Sequence, residues 1–358
     1  MHNAGVSDEV FQGYAFLRWS LEISKSLVIG PAWVGDMVMA QALYKALCVN
    51  STSAEIHVVA PEWSRPLLTR MPQISRTISL DVAHGELSLG KRYRLGKKLR
   101  HEHYQQAIIL PRSFKSALVP WFAGIAKRVG EIGEFRHFLL TRRYSSNRRK
   151  NIPNVSNYLR YINLQAGIGD VIQTYSPELD VDKSNQAELL SQHKISTEHP
   201  LVACMVGAEF GPSKQWPHEY FARLIDLLGE QGITVCILGS QKDAPAGHKI
   251  QSLCNHPVLN LCGKTSLTDV IDVLAACDVA VSNDSGLMHI AAAVNTPVLA
   301  MYGGTTPAYT PPLHEKAKSF YVKAACSPCW QRTCRYDHYR CLTDILPGDV
   351  FREVQKRL

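Results

Sequence analysis

Three short stretches of this 358-residue chain bring together residue types that can hold a negatively charged group and move a proton beside it. The first is Ser282-Asn283-Asp284-Ser285-Gly286-Leu287-Met288-His289, between the apolar run Asp278 to Val281 and the small-residue run Ile290 to Val294. A buried strand that passes through a tight polar turn into a helix aims the first helical N–H groups, and the positive dipole end, at one point. Such a point suits an anion. Gly286 removes a side chain where a phosphate would approach the backbone, Asp284 and Ser285 are good capping residues, and His289 lies one turn further on. Taken alone, the same triplet is also consistent with an ordinary capped helix and a core-facing histidine.

The second stretch, Gly207 to Pro217, places Lys214 just ahead of an expected helix start, where its charge opposes the helix dipole. A bound anion would compensate; a solvated surface lysine is the plain alternative. The third is Gly30-x-x-x-x-Gly35-Asp36. Its spacing approaches a P-loop but sets an aspartate where that loop needs lysine, and the Gly-x-Gly-x-x-Gly dinucleotide fingerprint is missing. What remains is a carboxylate at a helix start, Asp36, able to take a proton from a sugar hydroxyl. An aspartate that merely stabilises its helix dipole is the plain alternative. Gly239-Ser240 and Gly303-Gly304-Thr305 are further small-residue turns in the second half.

The elements that must position these stretches alternate regularly. Strands are expected at Ser26 to Ile29, Glu55 to Val59, Arg76 to Leu80, Gln106 to Leu110 and Arg128 to Val129, with helices at Met37 to Cys48, Gly90 to His101, Ser113 to Phe122 and Val155 to Gln165. The second half repeats the alternation. Its strands are Leu201 to Val206, Thr234 to Leu238, Val258 to Leu261, Asp278 to Val281 and Pro297 to Met301, with helices beginning near Pro217, Asp243, Leu267 and Ser285. This pattern predicts two α/β, doubly wound, Rossmann-like domains facing across a cleft, with every motif above at the carboxyl end of a strand. The expected division is a leader over 1–24, a first domain over 25–175, a second over 176–345 and a C-terminal helix over 346–358 that packs back on the first domain. The linker is placed within Gly167 to Asn185, which holds Gly, Pro, Asp and Ser and has no periodicity.

Composition (46% hydrophobic, 20% charged) is that of a soluble globular protein, with no apolar run long enough for a membrane span and no secretory signal at the start, so a cytoplasmic location is expected. Net charge is +8, yet residues 85–150 alone carry an excess of twelve positive charges, so the remainder is net acidic. An anionic partner is implied for the first half. Nucleic acid is disfavoured, because the segment has no stacking-aromatic pattern and no zinc-finger spacing. Six of the ten cysteines sit singly in apolar contexts; Cys326, Cys329, Cys334 and Cys341, with His338 nearby, are clustered. That cluster reads as a structural metal site or as reduced thiols in an irregular loop, and it lacks the paired knuckles of a zinc ribbon.

Four stretches, SLVIGPAWVGDMVMA (Ser26 to Ala40), GPSKQWP (Gly211 to Pro217), LGSQKD (Leu238 to Asp243) and SNDSGLMHIAAAVNT (Ser282 to Thr296), resemble the bacterial ADP-heptose:lipopolysaccharide heptosyltransferases, in the right order and from about Lys25 to the C-terminus. Within that group the opening looks more like enzymes that add the second heptose of the inner core than those that add the first. The resemblance implies a GT-B fold, an inverting mechanism, ADP-L-glycero-β-D-manno-heptose as donor and no required cofactor. It puts Asp36 on the catalytic base, Lys214 at the donor phosphates, and Asp284, Ser285, Gly286, Leu287 and His289 on the donor loop, with Gly239, Ser240 and Thr305 lining the same site. The acceptor it implies, Kdo-lipid A bearing heptose on the cytoplasmic face of the inner membrane, gives the basic segment a partner. Lys97, Lys98, Arg100, Arg112 and Lys115 are then the candidate acceptor-binding residues, and the enzyme is expected at the membrane periphery. The leader before Lys25 departs from the family. Other readings of the same features are an inner-core transferase of another position, a sugar-nucleotide 2-epimerase and, more remotely, a non-catalytic nucleic-acid-binding protein.

Overall fold

The computed structural model describes residues 25–51, 53–82, 85–144, 158, 160–161, 164, 175–196 and 198–358. The expected leader, most of the Val155 to Gln165 helix, the first part of the linker and the basic residues Arg148, Arg149 and Lys150 lie outside them. Two six-stranded sheets, parallel throughout, form the frame.

The first sheet holds β1 (Lys25–Ile29), β2 (Glu55–Ala60), β3 (Arg76–Ser79), β4 (Gln106–Ile109), β5 (Lys127–Glu131) and β6 (Arg142–Tyr144), in the order β3-β2-β1-β4-β5-β6. The second holds β7 (Leu201–Met205), β8 (Thr234–Leu238), β9 (Leu259–Asn260), β10 (Val279–Asn283), β11 (Val298–Tyr302) and β12 (Lys318–Tyr321), in the order β12-β11-β10-β7-β8-β9. Strand β7 is apolar and buried along its whole length and β1 is buried from Ser26 to Ile29, as a sheet covered on both faces requires.

The helices of the first half are α1 (Val34–Asn50), α2 (Arg65–Leu68), α3 (Leu89–Leu99) and α4 (Leu118–Phe122). Those of the second are α5 (Lys183–Gln192), α6 (His218–Gly229), α7 (Ala244–Leu253), α8 (Leu267–Leu274), α9 (Gly286–Ala293), α10 (Arg340–Thr343) and α11 (Pro347–Gln355). Helix α1 is apolar around most of its circumference because it is enclosed, with the first sheet on one side and α9 on the other. Its Met37, Leu43 and Tyr44 belong to the same core as Met288 and Ala291 of α9, so one hydrophobic core runs through both halves.

Polar ties reinforce that seam. Arg70 donates to both oxygens of the fully buried Asp272 carboxylate at 3.0 and 2.7 Å, from the end of α2 to α8. Between the halves, the backbone at Glu178 is held on both sides by the Gln41 amide, and Leu179 N–H donates to the carbonyl of Ala293. Among the described residues the C-terminal helix α11 lies on the second half rather than on the first, where it was expected. It packs on α6 and β11, with Val350 and Val354 in the second half's own core, because its apolar stripe matches the one α6 presents there.

Candidate active site

In each sheet the strand order reverses at one place, between β1 and β4 in the first and between β7 and β10 in the second. Connections on the two sides of such a point leave in opposite directions and open a crevice at the carboxyl ends of the strands. The loops that start α1 and follow β4 occupy the first crevice; those after β7 and β10 occupy the second. These are the Asp36, Arg112, Lys214 and Asp284 loops.

The two crevices meet where the first turns of α1 and α9 touch. A β-carbon at Gly35 would stand 2.5 Å from His289 Cδ2, and one at Gly286 would stand 2.7 Å from Val34 Cβ. The bare backbone at Gly286 therefore serves the approach of two helix starts, a different reason from the phosphate approach expected for it. Two helix N-termini converge there, each with unsatisfied N–H groups and positive dipole ends. Asp36 stands in the first turn of α1, half-buried, directly after the residue that touches His289. Burial pushes the Tyr161 phenol well above its ordinary value, and the neighbouring Asp36 charge adds to the effect.

Asp284 does not cap α9. Ser285 is the N-cap residue, with no side-chain cap bond, and the Asp284 carboxylate is turned toward Lys214, whose Nζ lies 2.6 Å from Oδ2. Thr305 Oγ1 donates to the same oxygen at 2.5 Å and Thr310 Oγ1 to Oδ1 at 2.9 Å. The Lys214 ammonium also stands over the Phe210 ring, 5.2 Å from its centroid. Its loop is fixed from behind. Trp216, fully buried, takes the Asn283 side-chain oxygen on its backbone N–H at 2.9 Å and donates its indole N–H to the carbonyl of Ile345 at 3.0 Å.

His289 is buried, with Nδ1 lacking a hydrogen-bond partner among the described residues. Burial lowers its pKa to about 4, with Lys214 lowering it further and Asp284 opposing, so the imidazole is neutral at physiological pH. Leu287 packs partly into the shared core. Ser240 closes a capping box with Asp243, donating to its carboxylate at 2.7 Å, beside Gly239 at the end of β8.

The basic candidates divide. Arg112 follows β4 and Lys115 lies one short turn later, both at the carboxyl edge that carries the crevice. Lys97 and Lys98 close α3, and Arg100 follows it; the helix runs back against the strands, so all three stand at the amino edge, away from the crevice. Nor is all the positive charge of this segment presented to solvent. Arg92 is buried against the carbonyl of Leu87, Arg136 is spent on buried backbone carbonyls, and Arg128 donates to the carbonyl of Leu139. Sequence reasoning missed Glu131, a buried carboxylate at the end of β5 that pairs with Arg160 at 2.6 Å and lies 3.7 Å from Arg112. A glutamate in a basic stretch, with Glu134 three residues on, gave no signal of that role.

All ten cysteines are free thiols. Among the described residues no group of three or more His, Cys, Asp or Glu side chains is placed to hold a metal ion, so the structural metal site that the spacing of Cys326, Cys329, Cys334 and Cys341 suggested is not supported; Cys326 Sγ and His338 Nε2 are 4.0 Å apart. The cysteine loop instead braces the crevice loops. Ser213 N–H donates to the carbonyl of Arg332 at 3.0 Å, its hydroxyl to that of Gln331, and Trp330 N–H to that of Gly304 at 2.9 Å.

Two doubly wound sheets with apposed switch points, a carboxylate on one side and a lysine with a helix start on the other, define a GT-B glycosyltransferase architecture. The chain belongs to glycosyltransferase family 9 (heptosyltransferase), whose model matches residues 92–340. It is 44% identical to lipooligosaccharide heptosyltransferase 2 of Haemophilus influenzae over 302 residues, covering 81% of this chain and 86% of that protein. It is 39% identical to lipopolysaccharide heptosyltransferase 2 of Escherichia coli over 343 residues, covering 93% and 98%. The solved structure of E. coli ADP-heptose lipopolysaccharide heptosyltransferase II superposes with a TM-score of 0.80 at 37% identity, over 93% of this chain and 98% of that one.

Proposed function

We propose that this protein transfers L-glycero-D-manno-heptose from ADP-heptose to the first heptose of the lipopolysaccharide inner core, with inversion at the anomeric carbon. The observation that carries the reading is the meeting of the α1 and α9 starts, which puts the Asp36 carboxylate on one side of a shared crevice and the Lys214–Asp284 pair on the other.

ADP-heptose would lie on the second half with its diphosphate toward the first turn of α9 and Lys214. An ammonium has three N–H donors, so Lys214 can keep Asp284 and still face a phosphate oxygen. Asp36 takes the proton of the acceptor hydroxyl as that oxygen bonds to the anomeric carbon from the face opposite the diphosphate. The bond to the phosphate oxygen breaks, and ADP leaves with the electron pair. Lys214 and the α9 N–H groups stabilise that developing charge. Arg112 and Lys115, at the same edge, suit the acidic groups of the acceptor, phosphates and Kdo carboxylates. The lipid-borne acceptor and the basic first half support a cytoplasmic enzyme held at the membrane surface; among the described residues no helix is long and apolar enough to cross a membrane.

The test is transfer from ADP-heptose to purified acceptors ending in Kdo or in the first heptose, by wild type and by Asp36→Asn. Transfer to the heptose-ended acceptor alone, reduced by roughly 10²–10⁴-fold in the variant with ADP binding retained, is expected. Transfer to the Kdo-ended acceptor instead, or a variant as active as wild type, overturns the acceptor assignment or the role of Asp36 respectively.

A further inference from the structure

The most exposed large apolar side chain among the described residues is Phe135, at 86%; Phe138 stands at 63% and Ile132 at 47%. All three lie on the loop after β5, at the carboxyl edge of the first sheet and therefore on the rim of the crevice. A loop free to fold its phenylalanines inward would do so. This one is held outward.

Its scaffold is Arg136, fully buried, whose guanidinium donates to the carbonyls of Glu131, Pro111 and Ser113 and to the Ser116 hydroxyl. Glu134 accepts from Phe114 N–H at 2.8 Å, and the bare backbone at Gly133 lets the loop approach the carbonyl of Arg112. Glu134 and Phe135 adopt left-handed backbone conformations, with φ of 40° and 55°. Such a conformation disfavours a bulky residue and persists only where surrounding contacts impose it. The result is a fixed aromatic ridge, with Phe138 against the Phe114 ring at 6.1 Å, beside the cations Arg112 and Lys115.

We infer that this ridge docks the protein on an anionic lipid bilayer, the phenylalanines entering the interfacial layer and the adjoining cations meeting lipid phosphates. Charge complementarity selects this occupant. Arg112 and Lys115 adjoin the ridge and the neighbouring edge strand β6 exposes Arg142 and Arg143, which suits a surface of negative phosphates, and exposed aromatic side chains flanked by cations suit a headgroup layer. Docking there would turn the crevice rim toward the membrane. The inference rests on the proposal that the acceptor is lipid-borne, since otherwise the rim has no reason to face a bilayer.

The experiment is flotation of the full chain with vesicles of phosphatidylcholine alone and of phosphatidylcholine mixed with phosphatidylglycerol, at low and high salt. Wild type is compared with Phe135→Ser/Phe138→Ser. Wild type should float with the anionic vesicles at low salt and much less at high salt, and the double variant should partition roughly tenfold more weakly. Its thermal midpoint, its ADP binding and its transfer to a deacylated, water-soluble acceptor should stay as in wild type. Equal flotation of variant and wild type, no flotation of wild type, or flotation indifferent to salt overturns the inference. So does a wild-type dimer that the double substitution converts to monomer, because a second copy then covers the ridge. Loss of transfer to the deacylated acceptor by wild type would instead count against the heptosyl-transfer reading, so the two failures are distinguishable.

Discussion

Lys214 Nζ lies 2.6 Å from Asp284 Oδ2, joining the loop after β7 to the loop after β10 across the second switch point. Both side chains are largely withdrawn from water, the carboxylate almost completely. Removing one partner of such a pair leaves the other charge buried and uncompensated, which costs about 3–5 kcal/mol. Lys214→Met should therefore lower stability by that order and weaken ADP binding as well. Asp284→Asn should lower stability less, because the amide oxygen can still accept from one of Thr305 and Thr310 while the amide N–H donates to the hydroxyl of the other. Denaturant melts with and without ADP measure both effects. If Lys214→Met is as stable as wild type, the pair is not a structural tie between the loops.

The alternation of apolar runs with helical segments made ten of the twelve strands legible, since buried parallel strands read as short continuous apolar runs. The two missed strands, β6 and β12, are edge strands whose sequences, Arg142-Arg143-Tyr144 and Lys318-Ser319-Phe320-Tyr321, carry too much polarity to read that way. The positions of Asp36, Lys214 and Asp284 at strand ends were equally legible. Their pairings were not. Nothing local to Asp284 distinguishes a helix cap from an ion-pair partner, because its partner lies seventy residues earlier and Thr305 twenty-one residues later. The reason for Gly286 was hidden for the same cause, since Val34 approaches it from the other half of the chain.

The contact between the α1 and α9 starts makes Gly35 a sensitive position. A β-carbon there would meet His289 Cδ2 at 2.5 Å, and His289 is packed on every side, so neither partner can yield cheaply. Gly35→Ala should cost about 1–3 kcal/mol of stability or be accommodated by parting the two helix starts. The thermal midpoint reports the first outcome. Small-angle scattering and a rise in KM for ADP-heptose report the second. An alanine variant indistinguishable from wild type in all three would show that the seam is looser than this spacing implies.

His289 gives the seam a pH dependence whose direction follows from its pKa. Burial lowers it to about 4 in the folded chain, against an ordinary value near 6.5 when unfolded. The unfolded chain binds the proton more readily, so stability rises with pH across that interval. The contribution is complete above about pH 6.5 and is lost progressively as pH falls toward 4, amounting to about 3 kcal/mol once both states are protonated. The charged neighbours facing the ring are Asp284, which favours the imidazolium, and Lys214, which opposes it. Protonation would also place a positive charge beside two helix N-termini, reinforcing the penalty. His289→Gln removes the titrating group, so its unfolding free energy should vary less than that of wild type between pH 7 and about pH 4. Denaturant titrations of the two proteins at matched ionic strength measure the difference. Parallel pH profiles would mean that carboxylates elsewhere, rather than this buried imidazole, set the acid sensitivity of the fold.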